Sequence, residues 1–174
     1  SEINFVGSLT QLEELEIWGD KIGDDSLFNL EKLSKLMILN DSEISSHSLS
    51  WLTNLRFLFV AINGHFSDND LSQLPPSLST LSLSDCPLLS NTGILSLSRL
   101  SNLTSLELET IHVNDQGLGR LPGLKNLIIT KNEFFIGNNA SLGNMRLLET
   151  LITTECPNFE GGGLRYRSPL KMLA

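Results

Sequence analysis

The sequence predicts an α/β solenoid, a stack of about seven strand–turn–helix units that share one continuous core. Three observations lead to it. A pair of the Leu-x-Leu type returns seven times, as Leu15/Ile17, Leu36/Ile38, Leu58/Val60, Leu81/Leu83, Leu106/Leu108, Leu127/Ile129 and Leu151/Thr153. First members of successive pairs stand 21, 22, 23, 25, 21 and 24 residues apart, and a period of that length marks a stacked repeat array. Between pairs the apolar spacing changes from every second to every third residue, so each unit holds two kinds of local structure.

Each pair reads as a short strand, because the alternation places two side chains on a buried face and three on the other. Three residues past the second member come Asp20, Asp41, Asn63, Cys86, Ile111, Asn132 and Cys156. A further apolar residue follows at Ile22, Ile44, Phe66, Leu89, Val113, Phe135 and Phe159. Turn-formers come next, as in Gly23-Asp24-Asp25, Ser67-Asp68, Ser90-Asn91-Thr92-Gly93 and Asn114-Asp115-Gln116-Gly117. Asp, Asn or Ser ahead of a run such as Leu27, Leu30, Leu33 or Leu118, Leu121, Leu124 is the N-cap of a short helix or 3₁₀ turn. Pro75-Pro76 lack N–H groups, so the convex segment of the third unit is expected to be loop. The fourth unit, with Ile94, Leu97, Leu100 and Leu103, is expected to hold the longest helical stretch. The sixth, through Phe134-Phe135-Ile136-Gly137-Asn138-Asn139, breaks the pattern.

These units resemble leucine-rich repeats, L-x-x-L-x-L-x-x-(C/N)-x-x-(I/L)-(S/T/N)-D-x-G-L-x-x-L. The fourth, Leu81 through Cys86 and Leu89 to Gly93-Ile94, is similar to the cysteine-containing subclass. The fifth, Val113-Asn114-Asp115-Gln116-Gly117-Leu118, is similar to shorter D-x-G-L repeats. The resemblance covers essentially the whole chain. It implies a right-handed superhelix with a parallel sheet inside and short helices, 3₁₀ turns and loops outside, used for protein recognition. Residues 1–174 then form a single leucine-rich repeat domain. Neither end carries the polar capping unit an array needs, so the chain is expected to be a piece of a longer array, or to self-associate through uncapped ends.

Net charge is −8. Glu2, Glu13, Glu14, Glu16, Asp20, Asp24, Asp25 and Glu31 face only Lys21 near the start, and Arg165, Arg167 and Lys171 cluster near the end. That balance argues against a nucleic-acid partner, whose phosphates need a basic stripe. No apolar run approaches the ~18 residues of a membrane span, so membrane insertion is not expected. Cys86 and Cys156 hold the same position three units apart. Three strand spacings make roughly 14 Å, beyond the ~7 Å reach of a disulfide. Both are expected to be buried free thiols, which slightly favours a cytoplasmic over a secreted setting. Against it stand the glycosylation-type triplets at Asn40, Asn102 and Asn139, about as many as chance gives, so the compartment stays open.

Reading the solvent-facing strand positions across units gives three columns. The middle one runs Glu16, Met37, Phe59, Ser82, Glu107, Ile128, Ile152, with Glu14, Lys35, Phe57 on one side and Trp18, Leu39, Ala61 on the other. Trp18, Met37, Leu39, Phe57 and Phe59 thus form a contiguous apolar block on three adjacent strands, which calls for an explanation where a lone exposed leucine does not. Aromatic residues and Met are enriched at interfaces. The block is the expected anchor for a partner protein, with Glu14, Glu16 and Lys35 as polar rim. A further segment of a parent protein covering it is the alternative. A one-residue slip would turn Phe57 and Phe59 inward, and the Leu52, Leu55, Leu58 spacing opposes that. Glu107 and Glu109 pair on one strand, facing either solvent, a basic partner or a cation, although two carboxylates are few for a metal site.

No catalytic chemistry is expected. His47, His65 and His112 fall at different phases of their units and do not converge. Gly161-Gly162-Gly163 lacks the Lys-Ser/Thr of a phosphate loop, no metalloprotease or nucleophile-elbow motif is present, and no cofactor is implied. The expected function is a protein-recognition module. The alternatives are the substrate-recognition part of an F-box-type ubiquitin ligase, or a receptor or adhesin ectodomain.

Overall fold

The computed structural model describes residues 3–19, 22–40, 44–138, 142–160 and 171–173. Each Leu-x-Leu pair lies in a five-residue strand: β1 Glu14–Trp18, β2 Lys35–Leu39, β3 Phe57–Ala61, β4 Thr80–Ser84, β5 Ser105–Glu109, β6 Asn126–Thr130 and β7 Thr150–Thr154. A short eighth strand, β8 Lys171–Leu173, extends the array by one unit. The eight form one parallel sheet in chain order. From β1 to β7 the register is unshifted, so Leu15, Leu36, Leu58, Leu81, Leu106, Leu127 and Leu151 stand side by side.

Alternation along each strand decides which face is interior. Ile17, Leu36, Ile38, Leu58, Val60, Leu81, Leu83, Leu106, Leu108, Leu127, Ile129 and Leu151 are buried, and Leu15, on the end strand, is partly so. They meet a second leucine layer from the convex side, including Leu27, Leu30, Leu49, Leu52, Leu71, Ile94, Leu97 and Leu118. Neither layer closes a core within one unit. Stacking makes it continuous, and each fully buried Leu or Ile contributes about 1.5–3 kcal/mol.

Strands end because the next residue turns left-handed. Gly19, Asn40, Ile62, Asp85, Thr110, Lys131 and Glu155 all have positive φ, between 49° and 84°. The N–H of that residue still donates to the following unit: Ile62 to the Ser84 carbonyl at 3.0 Å and Asp85 to the Glu109 carbonyl at 3.1 Å. The turn beyond is tied inward by Asn63 and Asn132, both buried. Asn132 Oδ1 accepts the N–H groups of Phe134 and Phe135, while its Nδ2 donates to the carbonyls of Ile111 and Val113, both at 2.9 Å. Cys86 Sγ sits over the Ser84 carbonyl at 3.4 Å and Cys156 Sγ over the Thr154 carbonyl at 3.4 Å. Cys86 is buried as expected, but Cys156 is only half-buried. Asp20 and Asp41 lie outside the described residues.

On the convex side run 3₁₀ turns Ile3–Ser8 and Asp24–Ser26, then helices α1 Ser46–Leu49, α2 Asp68–Gln73, α3 Asn91–Ser96 and α4 Asp115–Leu118. Leu97–Arg99 continues α3 as 3₁₀, the longest such stretch among the described residues. The third unit departs from expectation, since α2 is a helix with a reciprocal cap between Ser67 and Asp70. Pro75-Pro76 stop it rather than prevent it. Leu74, ahead of the first proline, takes φ −56° and ψ 144°, the extended geometry a following proline imposes. Residues 135–138 of the sixth unit are irregular.

An acid ladder joins successive convex turns. Asp24 accepts the Ser45 N–H at 2.7 Å and the Ser48 hydroxyl at 2.7 Å. Asp68 accepts the N–H and hydroxyl of Ser90 at 2.8 and 2.5 Å. Asp115 accepts the N–H groups of Ile136, Gly137 and Asn138. Asp24 and Asp68 thus hold the N-cap residues of the next unit's helix, Ser45 and Ser90, and Asp115 holds the irregular segment of the next unit.

Candidate functional site

The unshifted register places the predicted block as one surface. Trp18 pairs with Leu39, Glu16 with Met37 and Glu14 with Lys35. Lys35 pairs with Phe57, Met37 with Phe59 and Leu39 with Ala61. Trp18 is 65% exposed, while Met37, Leu39, Phe57 and Phe59 are half-buried by one another. Leu36, Leu58 and Val60 between them are fully enclosed. A register slip would have exchanged these two sets, so Phe57 and Phe59 face outward.

Polar groups bracket the block. Lys35 Nζ stands 3.0 Å from Glu14 Oε2 and 5.9 Å from the Phe57 ring centre, a cation–π distance. Trp18 Nε1 donates to Glu16 Oε1 at 2.5 Å. The indole is therefore held by its own strand while its face stays open.

Beyond β3 the surface drops. Ala61, Ser82 and Ser84 are all under 8% exposed although they point to the concave side. On the far bank, Ser82 Oγ donates to Glu107 Oε2 at 3.1 Å, and the single hydroxyl proton of Ser84 is within reach of Asp85 Oδ2 at 2.9 Å and Glu109 Oε2 at 3.3 Å. Glu109 also binds Lys131 Nζ at 2.7 Å. That hydrogen bond, with the charges of Glu109, Glu155 and Asp85, raises the Lys131 pKa. Glu107 has no ion-pair partner among the described residues.

No family model matches the sequence, and no curated protein matches it. Solved structures do match. Internalin inlF of Listeria monocytogenes str. 4b F2365 superposes with a TM-score of 0.68 at 23% identity over 90% of this chain. Internalin C2 (inlC2) of the same strain gives 0.66 at 20% over 95%. TLR13, solved as a complex with ssRNA13, gives 0.56 at 21% over 90%. The fold is that of leucine-rich-repeat proteins. The chain spans 45% of the inlF chain, 82% of the inlC2 chain and 29% of the TLR13 chain.

Other features of the solenoid surface differ in kind. Repeat alignment does not single out an aromatic group on the convex side. There Phe28 meets Trp51 edge-on at 5.2 Å, and Trp51 meets His47 at 4.8 Å. Phe28 and Trp51 stand one unit apart in sequence, and that spacing was the signal available. A cavity of about 600 Å³ lies between α4 and the sixth unit, lined by Asn114, Asp115, Arg120, Phe134, Ile136 and Asn138 among others. Its one carboxylate, Asp115, is already engaged by three backbone N–H groups. His47 is in α1, His65 follows β3, and His112 follows β5 against Phe134. Among the described residues no three His, Cys, Asp or Glu side chains group to hold a metal. No described helix is long and apolar enough to cross a membrane.

Proposed function

We propose that this chain is a protein-recognition module that takes its partner on the concave face. Trp18, Met37, Leu39, Phe57 and Phe59 are the anchor, and Glu14, Glu16 and Lys35 the rim. The observation that carries the reading is Trp18, 65% exposed at the head of an in-register apolar block. Water around that surface is released only when something covers it, which makes association favourable. Tryptophan most often dominates such interfaces.

A protein suits the surface better than a nucleic acid. Among the described side chains, Lys35 on β2 and Lys131 just after β6 are each held by a glutamate, Lys125 just before β6 stands 3.7 Å from Glu149, and the chain carries −8 overall. The ssRNA13 in the TLR13 complex belongs to that protein. Among the described side chains no basic stripe offers counterion release on phosphate binding.

The reading is tested by affinity capture with the wild-type protein beside Trp18→Asp, the fold of both checked by circular dichroism. A partner retained by wild type and lost by Trp18→Asp is the expected result. Partners retained equally by both would overturn the site.

A further inference from the structure

We propose that the segment seated on the concave face is an extended polypeptide carrying a basic side chain near an apolar one. Its apolar residue rests on Phe59 and Met37, and its Lys or Arg crosses strand β4 to reach Glu107. The inference rests on the reading above and specifies the partner's chemistry.

The middle column explains the geometry. Phe59 pairs with Ser82, and Ser82 with Glu107, so the backbones that carry ring and carboxylate stand two strand spacings apart, roughly 10 Å. Between them Ala61, Ser82 and Ser84 form a low floor of small side chains. A long cationic side chain suits such a trough, because its methylenes pack against an aromatic wall while its head reaches a charge. The Ser82 hydroxyl donates to Glu107 and so orients its carboxylate over the floor. No lysine or arginine neutralises that carboxylate among the described residues, whereas its neighbour Glu109 is matched by Lys131.

Charge over the whole face points the same way. On β1 to β7, Glu14, Glu16, Glu107 and Glu109 stand on the three columns against Lys35 alone. After the Glu14–Lys35 and Glu109–Lys131 pairs are set aside, Glu16 and Glu107 are left uncompensated at opposite ends of the apolar and serine stretch. An acidic segment would meet like charge there. A second copy of a chain carrying −8 would bring the same glutamates to the contact. A basic-apolar segment is complementary to both parts, and such complementarity sets specificity and association rate.

A displayed library of random twelve-residue peptides, selected on the wild-type protein, tests this. Enriched peptides should carry Lys or Arg about three residues from an aromatic or aliphatic side chain, the ~10 Å span of extended chain. A synthetic peptide from the selection should bind about tenfold more weakly to Glu107→Gln and should be lost on Phe59→Ser. Met37→Gln substitutes for the latter should Phe59→Ser lower the melting temperature. Peptides that need Phe59 or Met37 yet lack a basic residue and ignore Glu107→Gln would overturn this inference and leave the concave site standing. Peptides indifferent to Trp18→Ser, Phe59→Ser and Met37→Gln, or a selection yielding no binder, would overturn both. A single-stranded RNA oligonucleotide bound in a Phe59-dependent way, or a dimer in sedimentation abolished by Phe59→Ser, would replace the peptide with another occupant and sink the inference.

Discussion

Gly93, in the first turn of α3, lies so close to Asp68 of the preceding unit that a Cβ would stand 2.3 Å from the carboxylate oxygen Oδ1. The same carboxylate accepts the N–H and hydroxyl of Ser90, the N-cap of α3. Glycine is required here for space rather than for backbone freedom.

Gly93→Ala is therefore expected to destabilise the protein by about 1–3 kcal/mol, since the methyl displaces a group fixed by two hydrogen bonds. Chemical denaturation of wild type, Gly93→Ala, Asp68→Ala and the double variant measures it. The Gly93→Ala penalty should shrink once the Asp68 carboxylate is gone, as expected for residues in contact. Equal penalties in both backgrounds would contradict the packing argument.

A second prediction concerns acid. Burial pushes the Asp70 carboxyl up, but the N–H and hydroxyl of Ser67 and hydrogen bonding from Ser46 outweigh it, and its pKa lies below the usual carboxylate value. The contacts are 2.8, 2.8 and 2.9 Å. With the folded value depressed, the contribution is present above the unfolded pKa of about 3.9 and is lost as pH falls through the folded value. Asp70→Asn should cost about 1–3 kcal/mol at pH 7, because one amide face presents a donor to a donor. The gap between variant and wild type should narrow below about pH 4.

Strain at the strand ends gives a third. Ile62 holds φ at 52° while being 56% exposed, a backbone region that β-branched residues avoid and that costs about 1–3 kcal/mol. Little packing is lost by replacing an exposed side chain. Ile62→Asn is expected to raise the melting temperature by about 2–4 °C. Asp85→Asn, at φ 49° in the next unit, should change little, because aspartate already tolerates this geometry.

The strand register was legible in the sequence because period and alternation are both set by burial, and burial dominates this fold. The columns containing Trp18 and Phe59 followed from counting alone. What escaped is local. Pro75-Pro76 read as a loop, yet the six residues of α2 before them have a cap of their own in Ser67 and Asp70. Asp70 occupies the position held by Gly93 and Gly117 in later units, and its carboxylate serves a donor one unit back, which no single-unit reading shows. Cys156 matched Cys86 in position but not in burial, and the motif alone does not fix how much covers it.

Leu58 and Phe59, adjacent on β3 and on opposite faces, provide the most direct test of the site. Leu58 is fully enclosed in the leucine layer, and Phe59 is half-buried beside Met37 and Ser82. Leu58→Asp places an unpartnered carboxylate in an apolar interior, where burial of a charge costs more than the marginal stability of a domain can absorb. That variant should be unfolded at 25 °C by circular dichroism. Phe59→Asp loses part of a ring contact and gains a solvated charge, so its stability should fall by only about 1 kcal/mol. Partner binding should be lost nonetheless, because the anchor is removed and a fifth acid is added to the face. If Phe59→Asp unfolds as Leu58→Asp does, the ring is structural and the recognition surface lies elsewhere on the solenoid.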